Sequence, residues 1–252
     1  MVEFPHQRPA WSGKRGTRQA IDVFSPRSRR ALLDKLASVN RKQAGLPLFV
    51  TLTYPDRFPQ VPARWKQDIE RFIKRLQYEH GRFACVWRLE LQVRKSGLNR
   101  DKVAPHFHLL MFMDKQPRQL YESVSRHWYE ACGKLDPKHL KAGTKVERVY
   151  SWRGVMNYAA KYLAKLESLD LPADGVASWR YPGRYWGVWC RDLLPIHYRE
   201  LRPDLRSALA IKRHIRKYSG IKPRDKFTSM YAYLGSDACE RLAAFYGSDP
   251  PT

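Results

Sequence analysis

Residues 82–113 read RFACVWRLELQVRKSGLNRDKVAPHFHLLMFM. Two alternating, aromatic-rich runs, 82–93 and 105–113, flank the polar loop RKSGLNRDKV. That layout predicts two antiparallel strands joined as a hairpin. Side chains alternate between the faces of a strand, so His106 and His108 point the same way and Phe107 enters the opposite layer. Glu90 and Gln92 likewise share one face of the preceding strand, and the hairpin brings them alongside the imidazoles. A His-x-His pair alone is a weak signal. Two imidazoles with one carboxylate, however, can share a metal ion and leave coordination positions open for chemistry. Glu90 is the expected third ligand and Gln92 the alternative. The bland reading makes Glu90 an exposed strand residue paired with Arg88 or Arg94.

Around this hairpin, strands and helices mix without a βαβ rhythm. Ser25-Pro26 opens a basic helix expected to reach about Lys42, and PLFVTLTY (47–54) reads as a strand stopped by Pro55-Asp56. Trp65, Ile69, Phe72, Ile73 and Leu76 recur at helical spacing within 62–80, with Gly81 as the stop. A helix at 117–132, a short strand near 145–150 and a further strand at 184–190 follow, then basic helical segments at about 204–218 and 236–246. The fold class predicted is α+β, with a central antiparallel sheet of about five strands flanked by helices. The expected organisation is a basic arm (1–24), a main domain (25–200) and a basic helical extension (201–252).

The charge narrows the function. Among 252 residues, 47 Lys and Arg stand against 24 Asp and Glu, a formal net charge of +23. Such an excess repels itself and calls for a polyanion, and phosphates of nucleic acid release condensed counterions when neutralised. Basic residues interleave with Trp and Tyr, which suits stacking and phosphate contact more than an anionic membrane. Arg27, Arg29 and Arg30 on the first helix are candidate phosphate contacts, with a solvated basic face as the plain alternative. Trp152 and Trp186, with Trp189, are candidate base-stacking residues, although buried aromatics are the commoner fate of Trp. Cys85, Cys132, Cys190 and Cys239 form no C-x-x-C pair, which argues against a zinc ribbon or disulfide framework. A reducing, cytoplasmic setting is expected, since no apolar leader or membrane-length run is found. No G-x-x-x-x-G-K-[ST] is found, so no nucleotide cofactor is expected.

Residues 157–165, NYAAKYLAK, repeat a Tyr-x-x-Lys unit: Tyr158 with Lys161, then Tyr162 with Lys165. On a helical wheel Val155, Ala159, Leu163 and Leu166 form the core face. Tyr162 falls near that face, where it could be mere packing, and Tyr158 lies at its edge. Taken in order, the strand containing Thr51–Thr53, the His106-Phe107-His108 triplet and the Tyr-x-x-Lys helix resemble the HUH endonucleases: rolling-circle replication initiators and their relaxase and transposase relatives. The first motif of that family is an apolar strand with TLT-like sequence, the second His-hydrophobe-His with an upstream carboxylate or amide, the third a tyrosine with lysine three residues on. The doubled tyrosines look most like the two-tyrosine replication proteins of phages and related plasmid or prophage initiators. The resemblance covers about residues 25–200. Thr51 and Thr53 themselves are read as structural, since alternate threonines suit a strand.

The resemblance implies nicking of single-stranded DNA by Tyr158 and Tyr162, with a 5′-phosphotyrosine link and a free 3′-hydroxyl as products. A phenol of pKa near 10 costs about 4 kcal/mol to ionise at pH 7, so Lys161 and Lys165 would stabilise phenolate or phosphate. His106, His108 and Glu90 would hold Mg²⁺ or Mn²⁺. The implied setting is a replication origin in a bacterial host, phage- or plasmid-encoded, with host helicase and polymerase as partners. A transposase or relaxase would use the same chemistry, and a non-catalytic DNA-binding protein is the alternative of another class.

Overall fold

The computed structural model describes residues 2–3, 21, 24–95, 100–159, 179, 182–196, 204–219, 231–232, 240–242 and 244–245. The chain divides into two compact units, Arg18–Pro195 and Met1–Thr17 with Ile196–Thr252. In chain order the elements are β1 (Val2–Glu3), α1 (Pro26–Ala37), α2 (Arg41–Ala44), β2 (Leu48–Thr53), α3 (Pro62–His80), β3 (Ala84–Val93) and β4 (Val103–Phe112). They continue with α4 (Pro117–Ala131), α5 (His139–Ala142), β5 (Thr144–Arg148), α6 (Trp152–Tyr158), β6 (Trp186–Trp189), α7 (Leu205–Ser219) and β7 (Tyr231–Ala232). In the smaller unit β1 pairs antiparallel with β7.

The larger unit is built on one five-stranded sheet, ordered β5-β2-β4-β3-β6 and antiparallel at every pairing. The fold is therefore α+β, with helices flanking an antiparallel sheet. Alternation along β3 and β4 sorts the side chains. Cys85, Trp87, Leu89, Leu91, Phe107, Leu109 and Met111 join Leu48, Val50 and Leu52 of β2 in the main core. Onto that layer α3 lays Trp65, Ile69, Phe72, Ile73 and Leu76, and α4 adds Leu120, Val124 and Trp128. Each such side chain contributes about 1.5–3 kcal/mol on burial, so this layer fixes the sheet. Gly187 of β6 is needed for a close approach: a Cβ there would lie 2.8 Å from Trp87 Nε1.

The helix limits follow local chemistry. Ser25 Oγ accepts from Ser28 N at 3.2 Å ahead of Pro26. α3 starts at Pro62 and stops at Gly81, whose φ of 82° suits glycine. The first helix is shorter than the sequence predicts, ending at Ala37 rather than near Lys42. The cause is Asn40, whose Oδ1 accepts from Lys42 N and Gln43 N and opens the separate turn α2. Among the described residues no helix is long and apolar enough to cross a membrane.

Candidate active site

The opposite face of the sheet carries the polar cluster. Glu90 pairs with His106 and Arg88 with His108 across the β3–β4 register, while Thr53 and Thr51 of β2 pair with the same two histidines. Directly paired residues share a face, so six side chains from three central strands meet there. Glu90 and His108 are only 4 % and 5 % exposed, which removes the reading of Glu90 as a solvated surface residue.

The contacts within the cluster are specific. His108 Nε2 lies 2.7 Å from Glu90 Oε2, and His108 Nδ1 lies 3.3 Å from Thr51 Oγ1. His106 Nδ1 lies 3.1 Å from Thr53 Oγ1. Burial, with His108 close by, pushes the His106 imidazole down to about 4, so it is neutral at pH 7 and keeps a lone pair to offer. Phe49, one alternation further along β2, stacks on His108 at 5.7 Å. On the same face, opposite His108, lies Arg88, wholly buried, with its guanidinium 4.1 Å over the Phe24 ring and its Nη1 donating to the Leu89 carbonyl at 2.7 Å.

Thr53 is held from several directions. Its N–H donates to the Gly143 carbonyl at 2.8 Å. Its carbonyl accepts from the Trp128 indole N–H at 2.8 Å and lies 2.5 Å from His139 Nε2. Burial lowers the His139 pKa, so the neutral ring donates that bond. Gly143 is obligatory beside it, because a Cβ there would run into the His139 ring.

The donor set suits a divalent cation in kind: a neutral imidazole, a second imidazole and a carboxylate, with threonine hydroxyls on both Nδ1 atoms to fix ring orientation. Among the described residues no three His, Cys, Asp or Glu side chains are gathered closely enough to hold a metal ion. His108 Nε2 and Glu90 Oε2 are instead hydrogen-bonded to each other. Gln92 shares the Glu90 face two residues on, opposite Ala104.

The helix that leads towards the Tyr-x-x-Lys segment starts on the same face. Trp152, opening α6, stacks on Phe112 of β4 at 6.3 Å and 28°, and Phe112 has the same strand parity as His106 and His108. Val155 and Ala159 are buried, as the wheel expects. The backbone of Tyr158 closes α6. Its side chain, with Lys161, Tyr162 and Lys165, lies outside the described residues. Of the expected DNA contacts, Arg27 and Arg30 are exposed and Arg29 is half-buried on α1. Trp186 is half-buried, its indole donating to Ser28 Oγ at 3.0 Å, and Trp152 has the Arg41 guanidinium 5.6 Å from its ring centre.

The sequence alone presents Thr51 and Thr53 as structural and does not single out Arg88, Trp128 or His139 as parts of the site. The threonines carry a signal, since their spacing of two matches that of His106 and His108. It becomes legible only once β2 is known to neighbour β4.

An antiparallel α+β sheet with a His-His-Glu-Thr-Thr cluster, buried at His108 and Glu90 and half-buried at His106, Thr51 and Thr53, followed by a Tyr-x-x-Lys segment, defines the class of site. Residues 47–167, just under half the chain, match the model of the replication-associated protein family of the ORF2 type, and over that segment the chain is similar to a replication-associated protein. The matched segment begins just before β2 and ends beyond α6. No curated protein and no solved structure matches the chain.

Proposed function

We propose that this protein nicks and rejoins single-stranded DNA by tyrosine transesterification, and that the nick initiates rolling-circle replication at an origin. One observation carries the reading: His106, His108, Glu90, Thr51 and Thr53 share one sheet face within the segment matched by a replication-associated family. That description also favours replication over transposition or conjugation.

In this reading Tyr158 Oη attacks the scissile phosphorus, the bond to the 3′-oxygen breaks, and a 5′-phosphotyrosine forms. The phenol gives up its proton and the departing 3′-oxygen takes one up. Lys161 and Lys165, each three residues after a tyrosine, stabilise phenolate or phosphate. Tyr162, four residues after Tyr158, makes the second cut, after which a 3′-hydroxyl reverses the first link without ATP. His106, His108 and Glu90 (Gln92 as alternative) would hold Mg²⁺ or Mn²⁺, in place of the present His108–Glu90 hydrogen bond. A bound cation would polarise the phosphate and stabilise the leaving oxygen. The Thr51 and Thr53 hydroxyls would then hold the tautomer whose Nε2 lone pair is free. Unwinding and extension of the 3′ end fall to a host helicase and polymerase.

The test is incubation with Mn²⁺ and a labelled single-stranded oligonucleotide library. A denaturation-resistant protein–DNA adduct is expected, lost in Tyr158→Phe/Tyr162→Phe and in His106→Ala/His108→Ala. An adduct that persists in the tyrosine double variant overturns the nucleophile assignment.

A further inference from the structure

β5 adds a charge to the sheet face that carries the imidazoles. Its Lys145 pairs with Thr51 of β2, while Val146 beside it pairs with Val50 and packs into the opposite, apolar layer. Directly paired residues share a face, so Lys145 stands with Thr51, whose hydroxyl meets His108. Glu147 pairs with Phe49, which stacks on His108, and lies on that face too. Register therefore draws one row across all five strands: Lys145, Thr51, His108, Arg88 and Trp186.

The two ends of that row differ. At the β6 end Trp186 is half-buried with its indole bonded to Ser28 of α1, and Arg88 is wholly buried against Phe24. That flank is closed. Towards β5, exposure rises from buried His108 through half-buried Thr51 to Lys145, whose side chain is 69 % exposed. A polyanion thus has an approach to the imidazoles over the border strand, and it meets an ammonium there. Arg94, past the end of β3, is instead committed to Asp56 at 3.0 Å and to the Tyr54 and Pro55 carbonyls at 2.8 and 2.7 Å. Lys145 Nζ rests 2.9 Å from Glu147 Oε1, and an exposed pair of this kind is weak enough for a phosphate to displace the carboxylate.

We infer that Lys145 is a phosphate-binding residue at the entrance to the site, where the DNA strand crosses β5. β5 lies two strand spacings from β4, roughly 10 Å at about 4.8 Å each. A compact charge on a flexible stem at that distance holds a phosphate flanking the reacting one. This inference rests on single-stranded DNA being the substrate, as proposed above. The plainer role of an edge lysine is to discourage sheet extension, which would leave DNA affinity untouched. Arg148 supplies the comparison, because it is exposed on the same strand but pairs with Leu48 of the apolar layer.

The test is fluorescence anisotropy of the full-length protein with a short fluorescein-labelled oligothymidylate, in EDTA, over a series of salt concentrations. Lys145→Gln should weaken binding about 3- to 10-fold near about 0.1 M salt and flatten the slope of log K against log salt by about 0.7, one phosphate contact. Lys145→Arg should restore most of both. Arg148→Gln, which removes an equal charge from the other face, should stay within about two-fold with its slope unchanged. Equal effects of Lys145→Gln and Arg148→Gln, or an unchanged slope in Lys145→Gln, overturn the assignment. Since no cleavage occurs in EDTA, failure of the adduct assay leaves this measurement interpretable by itself.

Discussion

Thr53 illustrates how much one side chain can hold together. Its hydroxyl meets His106, while its N–H and carbonyl are tied to Gly143, Trp128 and His139. Replacing it with valine keeps the strand shape and removes only the hydroxyl. In the metal-dependent reading, Thr53→Val should reduce Mn²⁺ affinity about 10- to 100-fold, measured by calorimetry, while the unfolding temperature moves little. Unchanged affinity would leave the hydroxyl with packing alone. That His106 and His108 share a face was legible from their spacing, because strand alternation is a local property. That hydroxyls back them was not, because the partner strand lies more than fifty residues upstream and register is set by tertiary packing.

Among elements, the hairpin of β3 and β4 was readable in outline because apolar alternation runs through both strands and a polar loop parts them. The limit of α1 escapes the sequence pattern because Asn40 acts as a cap inside a stretch that otherwise looks helical. The contact between α3 and α4 was invisible in sequence. Glu79 Oε1 accepts from Ser123 Oγ at 2.8 Å, and its Oε2 engages Arg126 at 2.6 Å and His127 at 2.7 Å. The Ser123 hydrogen bond first, then His127 and Arg126, hold the Glu79 carboxyl at about 2. Because the folded value is the lower one, this contribution is complete above the ordinary value near 4.5 and fades as pH falls towards 2. Urea unfolding across that window should show a decline in wild type that is shallower in Glu79→Gln. Parallel declines would mean that the clasp adds nothing.

For the molecule as a whole, the charge of +23 predicts electrostatic binding. A plot of log K against log salt for single-stranded DNA should be steeper than about −2, meaning three or more phosphates neutralised at about 0.7 each. A flat plot would assign the charge to another partner. Composition made that expectation legible without any fold, whereas the order of strands was not, since no local pattern tells a border strand from a central one. The border strand β5 has a consequence of its own. Its backbone offers hydrogen-bonding groups on one side, and Lys145, Glu147 and Arg148 stud its five residues. Charged side chains along such a rim repel another copy that would otherwise dock and extend the sheet. Neutralising Lys145 and Arg148 together would therefore be felt first as a tendency of concentrated protein to aggregate.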